Sequence, residues 1–519
     1  MTGSQRPNLL FIITDQQRAD HVGFAGNAVV RTPHLDALAA KSAVFDRAFV
    51  ANPVCMPNRS TLMTGRMPSS HGVIFNDRSL SPDANTFVRQ LRGAGYQTAL
   101  IGKSHLQHGT SRDAYVDLPG DIGQSVPWFE GWDTLEHFER YEGDDPPEID
   151  DFYGFDHVEL TLGHGSWSGG HHYRWASERG ATHESLVAGG RADSDVPNRS
   201  PLWWQIHEAP FAAELYSTRF VTERTIDFIE NAAGAAEPWM AWCSFPDPHH
   251  PLSPPKKWLE RHDPDDIELP YTFDDPGEGW PRHLLALRSL SPSPDNFVLP
   301  FGPTPEQARA FIAATYGMIE GIDEGVGEIL AALDRLEIAD NTIVVFTSDH
   351  GDMAGDHGLI MKGAMHFQGC LRVPLAIHVP GQTPARTDSL VSSVDIAQTM
   401  LDLCDAPAYQ GMQGHSLTPI LDDPAATVRD AVLIEDDFPP RAVGPGLPLK
   451  TRTVIEERCR YTRDSNGEEQ LYDLASDPDE LTDLTVDDRD PVRRADMILR
   501  LTDLLIEADD LCRPGPVSM

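Results

Sequence analysis

Residues 8–16 read Asn8-Leu9-Leu10-Phe11-Ile12-Ile13-Thr14-Asp15-Gln16. This is a short apolar run ended by polar residues, the pattern of a buried strand. Thr98 to Ile101, Trp239 to Phe245 and Thr342 to Thr347 have the same character. Helical patterns lie between them. Thr304-Pro305-Glu306-Gln307 supplies an N-cap, a proline in the first turn and a glutamine three residues after the cap. Phe311, Ile312, Tyr316, Ile319, Ile322, Val326, Ile329 and Leu330 then share one helical face. Ser217 to Ile229 reads as a second helix. Strands alternating with helices predict an α/β fold, with a sheet covered on both faces.

Two stretches break the alternation. Residues 107–205 are rich in Gly, Asp, His and Trp, and residues 251–300 in Pro and Asp. Both read as loop insertions on a catalytic domain spanning 1–408. The aromatic and histidine side chains there (Trp128, Trp132, Trp167, His171, His172, Tyr173, Trp203, Trp204) suit core packing first, and an aryl, sugar or cationic group second. Beyond about residue 408 the pattern changes. Ala431 to Glu435, Thr451 to Glu456 and Glu469 to Leu474 read as short strands, and Pro491 to Ile506 as a closing helix. The expectation is a small α+β domain over 409–519.

The chain has 519 residues, enough for one large domain and a smaller one. The formal charge is −39, from 41 basic and 80 acidic residues. Such a field repels nucleic acid and anionic membrane, so neither is expected as a partner. No apolar run approaches the roughly 20 residues of a membrane span. Leu9 to Ile13 is too short for a signal-peptide core, and a cytoplasmic protein is expected. Six cysteines are scattered without a paired motif, which points away from disulfides and structural zinc. Six lysines stand against the acidic background, and two of them, Lys103 and Lys362, recur below.

Polar groups gather after the strands. Asp15 and Gln16 follow the first, Lys103 and His105 the second, His249 and His250 the third, Asp349 and His350 the fourth. In open α/β sheets ligands bind beyond the carboxyl ends of strands. A further segment, Cys55-Met56-Pro57-Asn58-Arg59 continuing through Ser60-Thr61-Leu62-Met63 to Thr64-Gly65-Arg66, joins this set. With Gly102-Lys103-Ser104-His105, Pro248-His249-His250-Pro251, Ser348-Asp349-His350-Gly351, and Leu471-Tyr472-Asp473-Leu474, it resembles the type I sulfatases of the alkaline-phosphatase-like superfamily. The resemblance runs from Asn8 to about Leu484 and implies a large mixed sheet between helices, plus a small C-terminal four-stranded sheet with a helix.

The resemblance implies the rest of the site. Cys55 would be oxidised by a formylglycine-generating maturation enzyme to formylglycine (3-oxoalanine), whose hydrated aldehyde is the nucleophile. Asp15, Gln16, Asp349 and His350, with the modified Cys55, would bind one divalent metal. Calcium comes first for an oxygen-rich set, with Mn²⁺ or Mg²⁺ as alternatives. Gln16 and His350 replace the commoner Asp and Asn, which resembles the phosphonate monoester hydrolases and their arylsulfatase relatives. Arg59 would hold the aldehyde hydrate and the metal-site carboxylates, with a helix beginning at Ser60. Lys103 and Lys362 would grip the anionic oxygens. His249, with His250 as rival, would protonate the leaving oxygen or bind the anion. His105 would take a proton from the second hydroxyl as the covalent intermediate breaks, and Asn76 would bind substrate. Asn58 stands where Ser or Ala is usual.

The expected activity is hydrolysis of a small anionic ester, a sulfate monoester, by a sulfuric ester hydrolase of arylsulfatase type. A phosphonate monoester or phosphodiester hydrolase is the alternative, since those esters also carry one negative charge. A non-catalytic relative and a plain Cys55 thiol hydrolase stand behind these. A homo-oligomer is compatible with the sequence.

Overall fold

The computed structural model describes residues 6–76, 78–108, 131–143, 145–293, 301–438 and 449–509. Trp128, Cys512 and parts of both predicted insertions lie outside the described residues. The strands in chain order are β1 (Asn8–Thr14), β2 (Ala43–Phe45), β3 (Ala48–Phe49), β4 (Gln97–Gly102), β5 (His157–Leu162), β6 (Trp239–Ser244), β7 (Thr342–Ser348), β8 (Leu375–His378) and β9 (Ala385–Thr387). Eight of them form one sheet in the order β5-β4-β6-β1-β7-β8-β2-β9. The first five run parallel, while β8 runs antiparallel to both neighbours, so the sheet is mixed.

All seven residues of β1 are buried, and they alternate between two cores. Leu10 and Ile12 face Phe220, Val221 and Ile229 of the helix Ser217–Ala232, and Ile322, Val326 and Ile329 of the helix Pro305–Arg335. Leu9, Phe11 and Ile13 join the opposite core with Met56 and Leu62 of the helix Cys55–Thr64 and Met400 of Asp395–Leu403. The sandwich expected from the strand–helix alternation is therefore present. The long helix starts on a full capping box: Thr304 accepts from the Gln307 backbone, and the Gln307 side chain accepts from the Thr304 backbone.

Register places the site. Thr14 pairs with Ser348, Ile13 with Ser244, and Gly102 with Ser244. The carboxyl ends of β4, β6, β1 and β7 thus finish level with one another.

Trp203 and Trp204 are core residues, in agreement with the sequence reading. Two features differ from it. The stretch 107–205 contains the edge strand β5, whose first three residues are half-exposed and so lack a continuous apolar run. The helix expected from Ser60 begins at Cys55 itself, so Arg59 sits a full turn inside it.

After β10 (Val391–Ser392), which pairs with β3, the chain forms β11 (Ala431–Phe438), β12 (Leu449–Glu456), β13 (Cys459–Asp464) and β14 (Glu469–Asp473), an antiparallel sheet in that order. Strand β13 had not been read from the sequence. The helix Pro491–Glu507 covers this sheet through Met497 and Leu501. No described helix is long and apolar enough to cross a membrane.

Candidate active site

Cys55 is the first residue of a ten-residue helix whose N-cap, Val54, supplies no side-chain cap. The free N–H groups and dipole of that helix end favour negative charge beside Cys55. The Met56 amide donates to Asn76 Oδ1 at 3.0 Å, so Asn76 serves here as a brace for the nucleophile turn.

Asp15 and Asp349 stand one residue past the paired ends of β1 and β7, and both are fully buried. The Asp15 amide donates to the Asp247 carbonyl at 3.1 Å, and the Asp349 amide to the Thr14 carbonyl at 3.1 Å. Both carboxylates are therefore aimed by main-chain bonds. Candidate ligand atoms of Asp15, Cys55, Asp349 and His350 all lie within 4.8 Å of one another. His350 Nδ1 donates to the Gly351 carbonyl at 2.9 Å, which turns the lone pair of Nε2 toward Cys55 Sγ at 3.1 Å and Asp349 Oδ1 at 3.6 Å. An imidazole fixed by a backbone carbonyl in this way is the usual arrangement of a metal ligand. Gln16, at φ 67°, sits beside this cluster. Its amide oxygen accepts from Lys362 and its nitrogen donates to Asp352, while its backbone amide donates to Asp349 Oδ1 at 3.0 Å.

Arg59 neutralises the carboxylates from the protein side. Its Nε donates to Asp349 Oδ2 at 2.7 Å, and Nη1 donates to the Lys103 carbonyl and to Ser244 Oγ. Nη2 lies 4.0 Å from Asp15. Asn58 is a structural tie: its Oδ1 accepts from the Ala51 amide and Ser393 Oγ, and its Nδ2 donates to the Asp349 carbonyl.

The opposite wall is cationic and comes partly from loops. Lys103 pairs with Asp15, and Lys362 bonds both Gln16 and His249. His249 Nδ1 donates to the His250 carbonyl at 2.5 Å, leaving Nε2 to face Lys362. His249 rather than its rival His250 therefore meets the lysine. Burial works against the Asp15 carboxylate, but Lys103, His249, His164 and Arg59 together hold its pKa well below the ordinary range. Burial, Lys103 and His164 push the His105 pKa well below the ordinary imidazole value.

Two residues had not been singled out from the sequence. His164 Nε2 accepts from Lys103 at 2.9 Å, approaches Asp15 Oδ2 at 3.4 Å, and its ring stacks on His249 at 3.7 Å. It stands just past the end of β5, so the rule that found Asp15 would have found it had that strand been read. Its flanking glycines are required: a Cβ on Gly163 would meet the Trp167 carbonyl, and one on Gly165 the Pro251 carbonyl. Glu136 accepts from the amides of His105, Leu106 and Gln107 at 2.8–2.9 Å and so fixes the turn that carries His105.

The set combines a buried nucleophile position at a helix end, two carboxylates and an imidazole able to hold a cation, and a wall of lysines and histidines for an anion. The sulfatase family profile matches residues 7–406, and the profile for the C-terminal part of N-sulphoglucosamine sulphohydrolase matches 355–507. An arylsulfatase from Clostridium perfringens is 27% identical over 490 residues, covering 92% of this chain and 90% of that protein. A choline-sulfatase from Rhizobium meliloti is 29% identical over 501 residues, covering 94% and 84%. The phosphonate monoester hydrolase of Agrobacterium radiobacter superposes with a TM-score of 0.77 at 26% identity, covering 97% of this chain and 96% of that one. With its whole eight-stranded sheet, the helix that begins at Cys55 and the strand-end cluster inside the matched span, this chain belongs to the sulfatase family.

Proposed function

We propose that this protein hydrolyses a sulfate monoester, using formylglycine made from Cys55 by a maturation enzyme and one divalent metal. The observation that carries the reading is the placement of Cys55 at a helix N-terminus, in one 4.8 Å cluster with Asp15, Asp349 and His350. Two carboxylates and one oriented imidazole fit a hard to borderline ion, Ca²⁺ first and Mn²⁺ or Mg²⁺ next. When bound, that ion would lower the pKa of the nucleophilic hydroxyl and polarise the ester oxygen. Gln16 would join the ligands by turning its amide oxygen from Lys362.

The chain's own groups supply the remainder. Arg59 orients the Asp349 carboxyl. Lys103 and Lys362 face the cluster from the cationic wall, where negative charge spreads in the transition state. His249 Nε2 accepts from Lys362, so a proton for the leaving oxygen would reach it through that lysine, and His105 would accept one from the nucleophile's second hydroxyl. The five described cysteines are unpaired, which suits a reducing cytoplasmic compartment.

A phosphonate monoester or phosphodiester is the second reading. It is favoured by Gln16 and His350, which leave fewer anionic ligands than an all-carboxylate site, and by the likeness to the Agrobacterium radiobacter hydrolase. Paired rates on p-nitrophenyl sulfate and p-nitrophenyl phenylphosphonate rank the two, on enzyme whose residue 55 has been identified by peptide mass. A faster sulfate reaction with aldehyde at position 55 is expected. Full activity with an intact thiol there would overturn the formylglycine mechanism.

A further inference from the structure

A small cavity lies between the helix Arg282–Arg288 and the hairpin of β13 and β14, with Pro281 and Ala364 among its lining residues. It admits about one water-sized particle, and His283, His366, Thr451, Thr462, Asp464 and Glu468 line it. None of these residues belongs to the cluster around Cys55. Ligand atoms of His283, Asp464 and Glu468 lie within 4.8 Å of one another.

Glu468 accepts from the amide and Nε of Arg282 at 3.2 and 2.9 Å, while the other two members are left incomplete. A carbonyl oxygen only accepts, so the 3.0 Å bond from His283 Nε2 to the Ala364 carbonyl puts the ring proton on Nε2. His283 Nδ1 faces Asp464 Oδ2, 3.5 Å away, and has no hydrogen-bond partner among the described residues. Asp464 Oδ1 is satisfied by the amides of Asn466 and Glu468, at 2.8 and 3.0 Å. Asp464 Oδ2 has no hydrogen-bond partner among the described residues, although the side chain is only 2% exposed. Thr451 Oγ1, His366 Nε2 and both carboxylate oxygens of neighbouring Asp436 are buried without hydrogen-bond partners as well. Buried polar atoms that face one another without a bond are costly unless a proton or a cation lies between them.

We propose that His283, Asp464 and Glu468 form a second divalent-cation site, suited to Zn²⁺ or Mn²⁺. One imidazole and two carboxylates are borderline-to-hard donors, and water would complete the coordination. The backbone carbonyl that holds His283 Nε2 supplies the outer support typical of metal-bound histidine. The site joins three distant pieces of chain: the 251–300 segment through His283, the C-terminal hairpin through Asp464 and Glu468, and the Lys362 loop through Ala364. Cation binding would therefore fasten the lysine that faces the nucleophile to the C-terminal sheet, without contacting the reacting atoms.

The test is a subtraction with the full-length protein. Wild type, Asp464→Asn, Asp349→Asn and the double variant are stripped with chelator, and each is titrated calorimetrically with Zn²⁺ or Mn²⁺. Asp349→Asn is expected to lose the ion beside Cys55 and to keep one further equivalent. Adding Asp464→Asn should weaken that equivalent by more than about tenfold. The gentler Glu468→Gln, checked for folding by circular dichroism, should weaken it in the same direction. If folded Asp349→Asn protein binds no ion, or binds one with an affinity indifferent to Asp464→Asn and Glu468→Gln, the second site is refuted. A wild-type stoichiometry unchanged by Asp349→Asn would instead count against the metal centre at Cys55, and the Asp464→Asn comparison would still decide this one.

Discussion

Asp15 and Asp349 stand one residue beyond β1 and β7, two strands paired residue for residue up to Thr14 and Ser348, whereas His105, His164 and His249 ride on loops. The first group is aimed by the main-chain ladder between two fully buried strands. The second is aimed by a few side-chain bonds: Glu136 on the His105 turn, two obligatory glycines around His164, and one carbonyl at His249. A ladder distributes its free energy over many bonds, while a loop concentrates it in one or two. The sheet-borne half should therefore fail only with the fold, and the loop-borne half should fail alone.

The largest expected effect sets the reference for that contrast. Cys55→Ala should lower kcat/KM by about 10⁴-fold or more, since it removes the nucleophile. Its denaturation midpoint should stay close to wild type, because Cys55 is a small buried side chain with no essential structural bond. Steady-state rates and urea melts check both halves of the statement. Appreciable residual turnover would place the nucleophile elsewhere.

Glu136→Gln tests the loop half. It leaves three amides facing a weaker acceptor and loosens the turn that carries His105. Small misplacement of a reacting group costs on the order of 100-fold in rate. We expect that loss in kcat with aldehyde content, metal content and hydrogen exchange in β1 and β7 unchanged. Faster exchange in those strands would show that the two halves are one cooperative unit.

The same division explains what could be read from the sequence. β1, β4, β6 and β7 are central, so burial on both faces gave them continuous apolar runs, and the residues just past them could be named. β5 is an edge strand with half-exposed His157, Val158 and Glu159, so its run is broken and His164 went unseen with it. The Thr304 capping box was legible because its partners are three residues apart. Glu136 had no comparable signal. A lone carboxylate gives no hint that it will turn inward onto amides thirty residues upstream. Asn58 looked like a departure from the usual Ser or Ala, yet its amide joins Ala51, Ser393 and the Asp349 carbonyl, a role set wholly by tertiary contacts.

His164→Gln should have a smaller effect than Glu136→Gln. It removes a hydrogen bond to a charged lysine and the stacking surface under His249. Such bonds contribute about 1.5–3 kcal/mol, so a loss of roughly tenfold to a hundredfold in kcat/KM is expected, weighted toward its lower end because Asp15 still holds Lys103. Separate kcat and KM values distinguish a displaced anion grip from a displaced proton donor. Unchanged values would make His164 a packing residue.

Acid should separate the halves without any mutation. Burial lowers His171, His172 and His207 to about 4, and all three lie in the stretch that carries His164. The Leu160 amide donates to His171 Nδ1 at 2.9 Å, which requires the neutral ring there, while the bond of His172 Nε2 to the Leu215 carbonyl at 2.8 Å favours the charged ring and is outweighed by burial. A base whose pKa is depressed by folding binds fewer protons in the native state than in the unfolded state. Its stabilisation is complete above the ordinary value near 6.5 and is lost as pH falls from there toward about 4. For fully buried His172 that amounts to about 3 kcal/mol across the window, at 1.36 kcal/mol per unit. Hydrogen exchange between pH 7 and pH 4.5, corrected for intrinsic rates, should therefore show protection falling first in residues 157–216. His172→Gln, which keeps a donor for the Leu215 carbonyl but cannot take a proton, should flatten the pH dependence in that stretch. Equal loss of protection in β1 and β7 at the same pH would mean that the loops are fastened to the sheet more tightly than their few bonds suggest.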